Sequence, residues 1–248
     1  MEINISIKDD RGYSQGFRPS EAMTIRTERR CDAIISEFKN TKDVKILEIG
    51  CGTGEMSNLL AQKTGQQVLG TDICEPFIES ARQNYKLPNL NLVVLDFNNK
   101  QQTQSIVGDT KFDYIVGNGI LHHFFYQLDE TLGNIKNLLN SSGKIIFWEP
   151  NILNPYCLFI FKTPVLRKMA YLEPNEMAFS KKFIAKKLTD LGYQNIKVSY
   201  RDFLLPNTPK HLIRSVIKIG DITEKTPLKF LSQSIFIVAT KQSKVLKI

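Results

Sequence analysis

The residues whose types and spacing could do chemistry are three glycines (Gly50, Gly52, Gly54), three carboxylates (Glu48, Asp72, Asp96) and two adjacent histidines (His122, His123). The glycines lie in the run ILEIGCGTGEMS at 46–57, where an apolar strand over 44–49 must turn into a helix. A backbone without side chains at that turn can come within contact distance of a ligand. Spacing selects the ligand. A dinucleotide fingerprint would need a third glycine at 55, where the chain has Glu55, an anion at the helix N-terminus that should receive a pyrophosphate. A P-loop is missing as well, since Gly143-Lys144 runs on into Ile145. What fits is a nucleoside ligand without phosphates. Asp72 closes the next apolar strand, 67–71, and Asp96 closes a third, 91–95. Both charges then fall along the carboxyl edge of the strands, where open α/β sheets bind ligands. A glycine cluster alone is an ordinary turn; several motifs in register are not.

With those residues in order, the chain resembles the class I S-adenosylmethionine-dependent methyltransferases, whose first motif is an acidic residue followed by G-x-G-x-G. The resemblance covers positions 44–150 well and the remainder in outline. It implies that S-adenosylmethionine is the cofactor and S-adenosylhomocysteine the product. It also implies cofactor contacts at Glu48, Gly50, Gly52 and Gly54, and ribose contacts at Asp72 with Ile73 beside it. Asp96 would take the adenine amino group, with Phe97 giving a backbone contact or a stacking face. FDYIVGNGILHHF at 112–124 resembles the fourth motif, in which the segment from Asn118 passes the methionine part. An arginine upstream of the first motif binds the cofactor carboxylate in similar enzymes; Arg26 and Arg30, four apart on one helix face, are the candidates, with Arg30 preferred. An exposed helix face is the alternative.

Methyl transfer from a sulfonium is an in-line displacement, so the protein must align donor and acceptor, exclude water and, for a hydroxyl, remove a proton. His122 and His123 follow the fourth strand where the methyl should point, and a neutral imidazole suits that task. His123 is the first candidate for base or substrate anchor and His122 the second, one of them having a structural alternative. The chain is similar to the ubiquinone-pathway O-methyltransferase branch, but has Gly119 and His122 where some relatives carry acidic residues. No metal site is therefore carried over. Glu149 and Asn151, just past the fifth strand, are expected either to hold a polar substrate group or to shape a turn. The [DN]-P-P-[YF] tetrapeptide of nucleic-acid amino-methylases is replaced by Asn118-Gly119-Ile120-Leu121.

The elements that must position these groups alternate short apolar strands with amphipathic helices, which implies an α/β, doubly wound, mostly parallel sheet. Strands are expected near 44–49, 67–71, 91–95, 112–117 and 144–148, and helices near 54–64, 75–85 and 127–140. Ser180 reads as a helix cap, with Phe179 stapling onto Ile184 and Gly192 closing the helix. Strands near 195–200 and 234–240 complete seven, which in the family pair antiparallel at one edge. We read one domain over 1–248: an arm and helix at 1–40 containing Tyr13 and Phe17, a cofactor-binding core at 41–150, and a lid insertion at 151–178. The core ends with 179–200 and 234–241, around a second insertion at 201–233.

The chain has 248 residues and a formal net charge of +8, from 33 basic and 25 acidic residues. Its lysines are scattered, so nucleic acid is not the expected partner, although an RNA or protein methyltransferase is one alternative reading and a non-catalytic cofactor-binding subunit another. Four cysteines without C-x-x-C spacing imply reduced thiols and, with no export signal in the first residues, a cytoplasmic location. The segment 155–172 is too interrupted to span a bilayer and unusually apolar for a loop. It suggests a small-molecule acceptor with a hydrophobic part, lipid-like or lipid-linked, lined by Phe159, Phe161 and Leu166. Arg167 and Lys168 would stay at the rim and allow peripheral membrane contact. A small satellite core is the plainer alternative.

Overall fold

A computed structural model describes residues 20–40 and 42–242, so Tyr13 and Phe17 lie outside the described residues. Helix α1 (Glu21–Ser36) precedes strand β1 (Lys45–Ile49), and the chain then alternates α2 (Glu55–Thr64), β2 (Gln67–Asp72), α3 (Glu75–Asn84), β3 (Leu90–Val94), α4 (Lys100–Val107) and β4 (Phe112–Asn118). A 3₁₀ turn (Leu121–Gln127) leads into α5 (Leu128–Leu138) and β5 (Leu139–Pro150). The two short helices α6 (Pro155–Lys162) and α7 (Pro164–Met169) follow, then α8 (Lys181–Asp190), β6 (Tyr193–Arg201), α9 (Ile213–Thr223), a 3₁₀ turn (Pro227–Leu231) and β7 (Ser234–Lys241).

The seven strands form one sheet in the order β3-β2-β1-β4-β5-β7-β6. β7 runs antiparallel to both β5 and β6, and the other pairings are parallel. This is the expected architecture. Period-two alternation sends successive side chains to opposite faces. Ile115, Ile145 and Phe147 join α5 and α8 residues in one core, while Val116, Ile146 and Trp148 join α1 and α2 residues in the other. The order reverses direction at β1, whose neighbours are β2 and β4, and a ligand crevice opens at such a switch point beyond the carboxyl ends.

Local chemistry sets several boundaries. Ser180 caps α8 by accepting the Phe183 N–H at 3.2 Å, and Phe179 and Ile184 are both fully buried in the same core. α4 was not expected, because KQQTQSIV offers only Val107 to the core; Asn99 starts it by accepting the Gln102 N–H at 3.0 Å. β5 begins at Leu139 rather than near 144, with Ser142 at a positive φ of 64° absorbing a register shift opposite β4. Among the described residues no helix is long and apolar enough to cross a membrane, and α6 stops at Thr163 before Pro164 restarts the chain as α7.

Candidate functional site

The turn from β1 into α2 carries Gly50, Gly52 and Gly54 at φ of +67°, +53° and +86°, a left-handed region that side chains disfavour. The three glycines differ in what surrounds them. A Cβ on Gly50 would stand 2.5 Å from the Ile120 side chain, so this glycine allows the loop to pack against the β4 exit. A Cβ on Gly52 would meet nothing within 4 Å. That open space over a left-handed backbone is a cradle a side chain would fill, and it fits a flat nucleoside lying on the loop.

Asp72, at the end of β2, holds this cradle in shape. Its two carboxylate oxygens accept the Gly52 N–H and the Cys74 N–H, each at 2.9 Å. An ionised carboxylate has about four acceptor sites, so it retains capacity for a ribose diol. Burial pushes the Asp72 carboxyl above its ordinary value, opposed by these N–H bonds and by the nearby His123. Ile73 continues the chain into the same turn. Asp96 stands just beyond β3, half-buried, with one oxygen accepting the Asn98 N–H at 3.0 Å.

The structure narrows two cofactor expectations. The Phe97 ring is 4% exposed and belongs to the α5-side core, so it offers backbone and no stacking face. Glu48 is 1% exposed and accepts the Ser57 hydroxyl of α2, so it braces the loop from beneath instead of reaching a ligand. Burial raises its carboxyl to about 8, with the charges of Glu55 and Asp72 adding to the effect against the Ser57 bond.

Asn118 closes β4 beside the loop. The Arg30 guanidinium donates to its Oδ1 at 2.7 Å, and since guanidinium only donates, this fixes the amide with its NH₂ free to donate elsewhere. Arg30 also donates to Asp202 at 2.8 Å and to Ser234, and lies 5.0 Å over the Trp148 ring. It is buried and committed to protein partners, so it positions Asn118 rather than gripping a cofactor carboxylate itself. Arg26 is committed too, to Asp202 at 2.9 Å and to Gln233. Burial alone would raise Asp202, but the charges of Arg30 and Arg26 outweigh it and hold the carboxyl below its ordinary value.

The two histidines open the 3₁₀ turn after β4 and meet two buried glutamates. His122 Nδ1 lies 2.9 Å from Glu149, whose carboxylate also accepts the N–H groups of Ile120, Leu121 and His122. Glu149 is thus a fully engaged turn cap, and it is not open to a substrate group. Asn151 is likewise structural: it is fully buried and donates to the carbonyls of Phe230 and Ser232. His123 Nδ1 lies 2.9 Å from Glu176, while His122 Nε2 is 3.9 Å from the same carboxylate. The rings are 4.3 Å apart, and the His123 side chain keeps 28% of its surface exposed against 11% for His122. With Nδ1 turned to Glu176, His123 has Nε2 as its other ring nitrogen. The ligand-type atoms of His122, His123 and Glu176 fall within 4.8 Å of one another, a grouping the sequence did not suggest. Glu176 was missed because it comes from a loop of the 151–178 insertion, with no spacing to tie it to 122–123.

That insertion covers the histidines from one side. Phe161 is 6% exposed and meets the His122 ring edge-on at 5.9 Å, within a satellite cluster with Cys157 and Ala178. Phe159 is instead exposed. Arg167 is no rim residue: its guanidinium donates to the carbonyls of Phe161, Glu173, Pro174 and Glu176 and ties the insertion together. The second insertion packs Leu204 and Ile213 on Ala22 of α1 as a separate cluster. All four cysteines are buried and unpaired by disulfides, and burial pushes the Cys31 thiol up to about 12 and Cys157 to about 11.

A seven-stranded sheet with this reversal, a left-handed glycine cradle at β1 and a carboxylate at β2 define an S-adenosylmethionine-dependent methyltransferase of class I. A family model described as a methyltransferase domain matches residues 40–201, and the chain belongs to that family. S-adenosylmethionine is its cofactor. The ribosomal protein L11 methyltransferase of Lactobacillus johnsonii is 32% identical over 106 residues, covering 43% of this chain and 31% of the relative. Malonyl-[acyl-carrier protein] O-methyltransferase 1 of Ilyobacter polytropus is 27% identical over 166 residues, covering 65% and 56%. The chain therefore spans less than two thirds of these curated relatives. A methyltransferase structure from Archaeoglobus fulgidus superposes with a TM-score of 0.63 at 22% identity, covering 92% of this chain and 98% of that one. Phosphoethanolamine N-methyltransferase 2 of Haemonchus contortus, solved with S-adenosyl-L-methionine, gives 0.63 at 16% identity, over 96% of this chain and 61% of that one.

Proposed function

We propose that the protein transfers a methyl group from S-adenosylmethionine to an oxygen of a small, partly hydrophobic acceptor. The observation that supports this reading is the His123–Glu176 pair, whose charge is felt at Asp72. It offers an oriented, partly exposed imidazole on the side of the nucleoside cradle. S-adenosylmethionine, when bound, supplies an electrophilic methyl on a sulfonium that leaves as the neutral thioether. The Gly50–Gly54 backbone and Asp72 would hold the nucleoside, Asp96 would receive the adenine edge, and the Asn118 amide, oriented by Arg30, would donate to the cofactor carboxylate.

His123 Nε2 takes the acceptor hydroxyl proton while Glu176 stabilises the resulting imidazolium, and the bound cofactor would supply the methyl carbon to that oxygen. His122, locked by Glu149, fixes the turn from which His123 projects. Phe161 and its insertion exclude water from this side. The apolar segments, with Phe159, Leu153, Val165 and Met169 exposed, support an acceptor with a lipid-like part and contact with a membrane surface. The likeness to a malonyl-carrier O-methyltransferase supports an oxygen acceptor. Incubating the protein with methyl-labelled S-adenosylmethionine and cell extract, then identifying the labelled product, tests the reading. A labelled, base-stable methyl ether or a methyl ester supports it, and label confined to RNA or protein overturns it.

A further inference from the structure

The turn after β4 and the 151–178 insertion bring three metal-type donors together. His122 Nε2 lies 3.9 Å from one Glu176 oxygen and His123 Nδ1 lies 2.9 Å from the other, and the ligand-type atoms of the three residues fall within 4.8 Å of one another. Two further contacts hold the Glu176 loop against the turn: the Met177 N–H donates to the His122 carbonyl at 3.2 Å, and Arg167 donates to the Glu176 carbonyl at 3.0 Å. On its other side, His122 Nδ1 lies 2.9 Å from Glu149, whose side chain is fully buried. A carboxylate only accepts, so this contact keeps a proton on Nδ1 and leaves Nε2 as the nitrogen that faces Glu176. A carboxylate behind the ring in this way orients imidazoles that bind metals.

Charge and spacing both favour a cation here. Glu149 and Glu176 are buried, and among the described residues their ion-pair partners are these two histidines, with no lysine or arginine. Buried carboxylates need a compensating charge. The 3.9 Å from His122 Nε2 to Glu176 is too long for a hydrogen bond, so a proton on Nε2 would gain none there. It lies within the span of two metal bonds of about 2.0–2.2 Å each. The 2.9 Å contact of His123 needs to open by only about half an ångström to reach the spacing of neighbouring donors in a tetrahedral site. The His123 side chain is 28% exposed, which leaves an entry path and room for a solvent ligand. None of the four buried cysteines belongs to the group, so the donor set is two nitrogens and a carboxylate.

We infer that His122, His123 and Glu176 bind a divalent cation of the zinc type, and that its binding switches off proton transfer; the second part rests on the reading of His123 as the base. Two imidazoles and one carboxylate are a donor set that zinc accepts, with solvent in the fourth position. Coordination through His123 Nδ1 uses the lone pair there, so the one proton of the neutral imidazole sits on Nε2. That nitrogen then has no lone pair for the acceptor hydroxyl. Glu176, bound to the ion, is also lost as the partner that stabilises an imidazolium. No electron is transferred, and removal of the ion restores the base.

The test titrates zinc, against a chromophoric chelator, into untagged and metal-stripped parent, His122→Asn, Glu176→Gln and His211→Ala, the last removing the third and exposed histidine. Thermal melts confirm folding of each. Parent and His211→Ala should bind one zinc per chain with equal affinity, and the dissociation constant should rise about tenfold or more in each cluster variant. Cobalt bound to the parent should give the visible spectrum of a nitrogen–oxygen site with no thiolate charge-transfer band, a readout that needs no variant. Transfer of labelled methyl to heat-inactivated extract should fall in step with zinc occupancy and return on chelation. No saturable zinc binding, equal affinity in the parent and both cluster variants, a loss shared with His211→Ala, or a thiolate band overturns the inference. Zinc bound at the cluster with turnover unchanged overturns the switch where His123→Ala abolishes turnover, and overturns the base reading where it does not.

Discussion

Replacing Glu48 with glutamine should stabilise the fold at neutral and alkaline pH while leaving it little changed in mild acid. Glu48 is 1% exposed beneath the glycine loop, and its carboxyl is pushed from 4.5 up to about 8. Between those values the folded chain keeps a proton that the unfolded chain has released. The folded state binds more protons there, so stability falls as pH rises. This group's contribution is present in full below about pH 4.5 and is lost as pH passes about 8. The whole gap corresponds to roughly 5 kcal/mol at about 1.4 kcal/mol per pH unit. Glutamine has the same shape, keeps an oxygen for the Ser57 hydroxyl and carries no proton to lose. Urea denaturation of parent and Glu48→Gln at pH 5, 7 and 8.5 reads the effect. The variant should match the parent within about 1 kcal/mol at pH 5 and exceed it by roughly 3 kcal/mol at pH 7. Parallel stability profiles over this range, or a variant less stable by the same amount at every pH, would refute the reasoning.

Three further outcomes follow from the same geometry. Gly52→Ala should cost only about 1–2 kcal/mol of stability, since its Cβ meets open space at a left-handed φ, yet cofactor affinity should collapse; a thermal melt beside a titration separates the two. Arg30→Ala leaves the buried Asp202 with Arg26 alone and frees Asn118, and should destabilise the fold by roughly 1.5–3 kcal/mol in urea denaturation. His123→Ala should lower turnover by about two to four orders of magnitude with cofactor affinity retained, and Glu176→Gln should lower it less and alter the pH–rate profile; unchanged rates in both would remove the pair from the chemistry.

The sheet was legible because the strands announce themselves as short apolar runs between amphipathic helices. α4 was not, because its polar sequence owes its helix to the Asn99 cap. The glycine loop and Asp72 could be read from spacing, since both are local to strand ends. The partners of the histidines could not: Glu149 and Glu176 reach them from β5 and from an insertion, and nothing in the chain marks those distances. Arg30 reads from the sequence as a candidate for the cofactor carboxylate or as an exposed helix face, because Asp202, Gln233 and Ser234 meet it only after β6 and β7 pair. Arg167 was misplaced for a similar reason, its donors being consumed by carbonyls of its own insertion.

The central claim is that the nucleoside of S-adenosylmethionine lies on the Gly50–Gly54 backbone with its ribose on Asp72. Calorimetric titration of S-adenosylhomocysteine into the parent and into Asp72→Asn tests it most directly. Asparagine keeps an oxygen for one of the two loop N–H groups, turns its NH₂ toward the other and gives up the charge that strengthens the ribose bonds, and a thermal melt checks that the variant is folded. The account predicts one site per chain in the parent and an affinity lowered by about tenfold to several hundredfold in the variant. Equal affinity in a folded Asp72→Asn protein, or no binding to the parent, would contradict it.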